Sequence, residues 1–357
     1  MSPSPNKDTI ELNGLNFNQD GSCFAVPTKN GYRIFNVEPL KQLIDDKFEG
    51  GIKIVEILFR CNYVALVGTG SNTEYPKNKV IIWDSAKKHK VSEIETKTDV
   101  KGIKLRRDKI CIIMDHNIDI YSFCDKPHRI HTIDTWTNPQ GISALSPSID
   151  NSLLAYPSQS SNGHIGIFNL AHPETPEVNI TAHNHNVAEI TFNFSGAMIA
   201  TASEKGTLIR VFETGGGTLV KEFRRGSQPA KILWHVYYTN SFLSDQQNFF
   251  SISFSPDSNF VAVASNHSTI HIFSLQPNRK KSNVGDSVER YFKGDVSFVR
   301  LKITPSINSN IQCRCTFGSN SDYIIAVCSD GSFHRFELDQ QTRKCIQQTY
   351  CFFVELN

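Results

Sequence analysis

Short runs of alternating apolar and polar residues, broken by Gly, Asn, Asp and Ser, make up most of this chain. Such alternation, with period two, marks a β-strand, whose successive side chains point to opposite faces. Long helical periodicity is nearly absent. The stretch LNFNQDGSCFAVPTKNGYRIFNV at residues 15–37 reads as strand, Asp-Gly turn, strand, Asn-Gly turn, strand. The same unit returns as ITFNFSGAMIATASEKGTLIRVFET from Ile190, as ISFSPDSNFVAVASNHSTIHIFSL from Ile252, and as CTFGSNSDYIIAVCSDGSFHRFEL from Cys315. Looser copies start at Ile57, Ile103 and Ile142.

The third strands of these units end on Phe35, Trp83, Tyr121, Phe168, Phe212, Phe273 and Phe336, at spacings of about 38 to about 63 residues. That is the rhythm of a four-stranded propeller blade with two long insertions. A small sheet cannot bury both of its faces alone, but sheets arranged radially cover one another. The expected fold is therefore all-β, a single seven-bladed β-propeller built from WD-like repeats over residues 1–357. Ile34, Ile82, Ile120, Ile167, Ile209 and Ile272 are expected in the inter-blade core. Only Trp83-Asp84 matches the dipeptide that names the WD repeat. The closing segment CIQQTYCFFVEL reads either as the outer strand of the last blade or as a partner of the N-terminal segment.

Two stretches interrupt the rhythm. Residues 231–249 form an insertion, and residues 276–296 form a polar, basic segment expected to be an exposed loop. Residues 1–9 are polar and Pro-rich and are expected to be disordered. They lack the apolar core of a secretory signal. No stretch approaches the length of a spanning helix.

Composition narrows the partners. The 37 basic and 35 acidic residues leave a formal charge of only +2, too little for a general nucleic-acid binder. Any anionic partner must meet a local patch. The nine cysteines lack metal-ligand spacing and read as reduced, largely buried thiols. No nucleophile elbow, metal motif or Walker loop is present, so an enzyme is not expected, nor is a cofactor. The basic runs Lys87-Lys88-His89-Lys90 and Lys104–Arg107 read as solvated charge on units two and three.

One constellation carries chemistry. Unit five leads through Gly215-Gly216-Gly217 into LVKEFRRGSQPA, the expected outer strand at the junction with unit six. On a strand, Arg224 and Arg225 diverge, so one edge can serve two pockets. The guanidinium fork suits phosphate oxygens, and Gly226 permits a tight turn or close ligand approach. Unit five and the segment before it offer Ser203, Thr207, Arg210 and His183. Unit six offers Ser265, Thr269 and His271 at equivalent positions. From the residues alone, two adjacent arginines on a surface strand are usually a solvated edge, and an ordinary WD-type adaptor without lipid binding remains open.

The motif Phe223-Arg224-Arg225-Gly226, set between ATASEKGTLIRVF and SFSPDSNFVAVAS, resembles the PROPPIN family of phosphoinositide-binding propellers of autophagy. GTGSNTEYPKNKVIIWD, SFVRL and YCFFVEL also have family counterparts, closest to the compact WIPI and Hsv-type branch. The resemblance implies two rim sites for phosphatidylinositol 3-phosphate and the 3,5-bisphosphate. Arg224 would serve the first with His183, Ser203, Thr207 and Arg210. Arg225 would serve the second with Ser265, Thr269 and His271. In unit six the family's usual DKGT is replaced by Asn266-His267-Ser268-Thr269, which lacks the turn glycine and lysine.

The resemblance further implies that loop 276–296 meets the bilayer. Arg279, Lys280 and Lys281 would face anionic lipid, and Tyr291 and Phe292 would insert. Units two and three would recruit autophagy proteins, including a lipid-transfer protein. The implied protein is a cytoplasmic monomer, peripheral on phagophore, endosomal and lysosomal or vacuolar membranes.

Overall fold

The computed structural model describes residues 15–226, 251–265, 269–276, 297–303 and 313–356. Seven four-stranded antiparallel sheets stand in a ring, a seven-bladed β-propeller as the repeats predict. The blades span residues 16–47, 52–95, 102–134, 144–181, 187–224, 251–302 and 313–352. Strands follow one another in space as in sequence, from the inner first strand to the outer fourth. Each third strand carries the expected aromatic, Phe35 and Trp83 in blades one and two through Phe273 and Phe336 in blades six and seven.

In blades one, two, three, five and seven, the outer strand bulges opposite the step into that aromatic. A bulge adds one residue and increases local twist. In blade five the extra residue is Val220, since Lys221 pairs with Val211 and Leu219 with Phe212.

The apolar faces meet between blades. Ile199 and Phe212 of blade five pack on Ile165, Ile167 and Ile180 of blade four. Ala200, Ala202, Ile209, Val211 and Phe223 pack on Val261, Val263 and Phe273 of blade six. Successive residues of blade five therefore belong to different junctions.

Of the two readings of the closing segment, the outer-strand one holds: Lys344–Phe352 is the fourth strand of blade seven. Among the described residues, blade one is wholly N-terminal and blade seven wholly C-terminal, and no strand is shared across the seam. Side chains close the ring instead. The short 3-10 turn Phe353–Glu355 sets Phe353 edge-on against the stacked pair Phe24 and Phe35, at centroid distances of 5.3 and 5.2 Å. Phe333 of blade seven stacks on Phe24 at 6.4 Å. Glu38 accepts hydrogen bonds from Arg335 Nε at 3.0 Å and Ser319 Oγ at 3.2 Å.

The inner strands surround a polar channel of about 640 Å³ that includes Glu56, Lys104, Glu189 and Arg314. Burial pushes the carboxyls of Glu56 and Glu189 up to about 7. One expectation is corrected here: the run Lys104–Arg107 is not a solvated patch. Lys104 faces the channel. Arg106 is 2% exposed and donates to Asp108 and Ser152. Only Arg107 is exposed, its guanidinium 5.5 Å from the Phe59 ring. The strand's alternation sends these side chains to different places. In the other run, Lys88 pairs with the buried Asp46, which also accepts from Tyr32 and Trp83.

With no shared strand, the seam rests on aromatic packing. Phe353→Ala should cost roughly 3–5 kcal/mol, read from the midpoint of urea unfolding.

Candidate functional site

The outer strand of blade five, Leu219–Arg224, places the arginine pair. Phe223 is fully buried and stacks on Phe273 of blade six, centroids 4.7 Å apart and planes at 20°. That contact sets the phase of the strand. Two residues on, Arg225 shares the face of Phe223 and turns toward blade six, while Arg224 turns toward blade four. The divergence expected from alternation is present, and its cause is the anchored phenylalanine.

On the side facing blade four, cross-strand partners assemble one pocket. Arg224 lies opposite Leu208, Glu222 opposite Arg210, and Arg210 opposite Thr201. Arg210 donates through Nε to Glu222 at 2.8 Å and through Nη1 to the Ala182 carbonyl at 2.5 Å. His183 enters from the exit of blade four and shares a 3.0 Å hydrogen bond with Thr201 Oγ1. Ser203 is buried at the end of the second strand, and Thr207 is half-buried in the turn that follows. Of the five residues expected together, His183, Ser203 and Arg210 share this junction, Arg224 turns the same way by alternation, and Thr207 meets Arg225 through its carbonyl. Burial, and next the Arg210 charge, pull His183 down to about 4, so its ring is neutral at physiological pH.

A second pocket opens at the junction with blade six. The Arg225 amide bonds to the Thr207 carbonyl at 2.9 Å, and its Nε donates to Gly206 O at 2.6 Å. The side chain is only 6% exposed. On blade six, His271 lies opposite Arg300 and Thr269 opposite Lys302. His271 lies parallel to Phe273, 6.1 Å away, which places it on the face turned to blade five. Burial and then the charge of Arg300 lower the pKa of Arg225. The buried guanidinium of Arg225 thus lies within electrostatic reach of the exposed Arg300.

The two pockets are equivalents. The residue leaving each outer strand bonds back to the turn before the third strand: His183 to Gly163 O, Arg225 to Thr207 O and Phe353 to Gly331 O. His183 and Arg225 therefore hold the same position in successive blades. Their surroundings differ in charge. The first pocket sets Arg210 and Arg224 against the carboxylate of Glu222, whereas the second gathers Arg225, Arg300 and Lys302 around His271.

Blade seven supplies an internal control. Cys328, Ser332 and His334 stand where blade six has Ser265, Thr269 and His271, but Ile303 takes the place of Arg225. There Ser332 Oγ donates to Asp330 at 2.6 Å and pairs with His334 at 2.9 Å. The hydroxyl–imidazole pair belongs to the blade's own turn. The arginines distinguish the two junctions of blade five.

Reasoning from the sequence missed Thr201, Glu222, Arg300 and Lys302. Arg300 falls within the SFVRL segment, but only the pairing of Val299–Lys302 with the third strand shows which face it takes. The backbone of Ser265 pairs with Thr269. Gly226 has open space around it. Residues 266–268, the insertion 231–249, residues 1–9, and Arg279, Lys280, Lys281, Tyr291 and Phe292 lie outside the described residues.

Comparison with known proteins adds a family model, two relatives and a solved structure. A family model described as PROPPIN matches residues 11–296. "Autophagy-related protein 18e" of Arabidopsis thaliana is 30% identical over 93% of this chain and 85% of its own. "Autophagy-related protein 18" of Komagataella pastoris is 31% identical over 78% of this chain, a match that spans 56% of that protein. The solved structure of Kluyveromyces lactis Hsv2 superposes with a TM-score of 0.75 at 26% identity, covering 95% of this chain and 98% of that one.

The buried neutral His183 makes a prediction about stability. Between pH 6.5 and about 4 the unfolded chain binds a proton there that the folded chain refuses, so this contribution is lost as pH falls. Over pH 6.5 to 5 the loss is about 2 kcal/mol. Glu56 and Glu189, raised to about 7, act with the opposite sign. Urea unfolding of wild type and His183→Gln at both pH values isolates the histidine, and the variant should lose less stability on acidification by about that amount.

Proposed function

The chain belongs to the PROPPIN family, and from that premise we propose that it is a non-enzymatic phosphoinositide effector of autophagy. It binds phosphatidylinositol 3-phosphate and phosphatidylinositol 3,5-bisphosphate through the two pockets beside blade five. Arg224, Arg210, Ser203, Thr207 and His183 serve one headgroup, and Arg225, Ser265, Thr269 and His271 serve the other. The observation that carries this reading is the divergence of Arg224 and Arg225 from one strand into two polar junctions. Guanidinium forks supply charge-assisted, bidentate contacts to phosphate, and neighbouring hydroxyls supply donors to a polyol.

Each headgroup is a weak ligand. Two sites on one rigid rim make the second contact intramolecular, raising avidity by roughly 10²–10⁴. Arg300 and Lys302 add charge to the second pocket, which suits it to the more highly charged bisphosphate. Loop 276–296 completes membrane contact, with Arg279, Lys280 and Lys281 at anionic lipid and Tyr291 and Phe292 at the interface. Among the described residues no helix is long and apolar enough to cross a membrane. Attachment is peripheral, from the cytoplasmic side, on phagophore, endosomal and lysosomal or vacuolar membranes.

Blades two and three, away from the lipid pockets, recruit autophagy proteins such as a lipid-transfer protein to this monomeric propeller. Exposed Tyr63, Ile130 and Trp136 on those blades support this role.

Flotation with liposomes containing phosphatidylinositol 3-phosphate tests the reading. Wild type should float, and the variant Arg224→Thr/Arg225→Thr should stay in the soluble fraction. Neither should float with phosphatidylinositol liposomes. Equal flotation of both proteins, or failure of the wild type to float, favours a protein-interaction adaptor without lipid binding.

A further inference from the structure

The junction between blades six and seven repeats the pocket geometry with sulfur in it. Cys328 ends the second strand of blade seven, where Ser203 and Ser265 end those of blades five and six. Cys313 opens the first strand and is the direct cross-strand partner of Cys328. Directly opposed residues of an antiparallel pair project from the same face, with Cα atoms about 4.5 or 5.5 Å apart. Both separations fall within the range of about 4.4–6.8 Å that a disulfide bridges.

Each thiol shifts the other's pKa, Cys328 downward and Cys313 upward. His334 and Ser332 beside Cys328 lower it further, and Ser332 in turn is held by Asp330. These contacts favour negative charge on the Cys328 sulfur, whereas Cys313 keeps its proton. A nucleophilic sulfur and a protonated thiol in contact with it are the two halves of a redox pair. Cys315 shares the same cluster but is engaged elsewhere, its sulfur donating to Ser251 O at 3.7 Å and its amide to Ser251 Oγ at 3.0 Å.

We propose that Cys313 and Cys328 are a redox modification site, converted by hydrogen peroxide, a two-electron oxidant, into a reversible cross-strand disulfide. The Cys328 thiolate attacks one peroxide oxygen. The O–O bond breaks, and the departing hydroxide takes up a proton to leave as water. The Cys313 sulfur then attacks the Cys328 sulfenic acid. The S–S bond forms, and the hydroxyl departs with the Cys313 proton as a second water. Two thiols and one peroxide thus give one disulfide and two waters. Cys313 is 3% exposed and Cys328 is fully buried. The pair is therefore closed to bulky thiol reagents, and peroxide reaches Cys328 through local opening of the blade. The disulfide staples the two inner strands of blade seven beside Ile270, Ile272 and Ile303, the apolar seam with blade six.

The test uses the full chain treated with hydrogen peroxide, without and with subsequent dithiothreitol. The monomer mass should fall by about 2 Da and recover on reduction. Trypsin cuts after Arg314 and chymotrypsin after Phe317, so the combined digest separates Cys313, Cys315 and Cys328. Mapping should find Cys313 joined to Cys328. Before oxidation, a maleimide should label the exposed Cys61 and Cys124 and spare this pair. The Cys61→Ala/Cys124→Ala variant should keep the mass loss, and Cys313→Ala should abolish it. An unchanged mass, a bridge between other cysteines, or oxidation confined to Cys61 and Cys124 overturns the proposal, and the wild-type map decides this even if Cys313→Ala fails to fold.

Discussion

Each blade has two apolar faces and a neighbour on either side, and everything else in this molecule follows from how consecutive residues are divided between those neighbours. On a strand the division is strict, one residue to each side in turn. In blade five it places Ile199 and Phe212 against blade four and Val211 and Phe223 against blade six. The stacking of Phe223 on Phe273 fixes that phase in the outer strand. Arg224 and Arg225 have no choice of direction once Phe223 is seated. The bulge at Val220 works with the anchor, since it sets which residues of the outer strand oppose Arg210 and Leu208.

The same constraint explains why the pockets come as a series. Every junction presents the end of one outer strand to the first turn and third strand of the next blade. At junction four–five that end is His183, at five–six it is Arg225, and at six–seven it is Ile303. The turn chemistry varies less than this residue does. Ser332 and His334 form in blade seven the hydroxyl–imidazole pair that Thr269 and His271 match in blade six. What distinguishes one junction from the next is therefore the exit residue and the charges beside it. In the first pocket Glu222 offsets part of the charge through its 2.8 Å contact with Arg210. In the second, the charge of Arg300 acts on Arg225 and lowers its pKa.

Much of this was legible in the chain. The third-strand aromatics marked all seven blades, because each sits where two blades meet. The arginine pair could be read as divergent, because alternation is local. The partners across the strand could not be read. Glu222 and Arg300 depend on register between strands, and the register of blade five shifts at a bulge that no residue type signals. Lys104 and Arg106 were misplaced as solvated charge for a related reason: three basic residues within four positions at the end of a strand supply a channel wall, a core and a surface in turn. The outward strand at residues 344–352 left two ways to close the ring, and its pairing with the third strand of blade seven distinguishes them.

The central claim is that one strand feeds two separate anion pockets. Calorimetric titration with the soluble headgroup inositol 1,3-bisphosphate tests it without a membrane. The account requires two molecules bound per wild-type chain, and one per chain in both Arg224→Thr and Arg225→Thr. A single molecule bound by the wild type, or loss of all binding in either single variant, would contradict it.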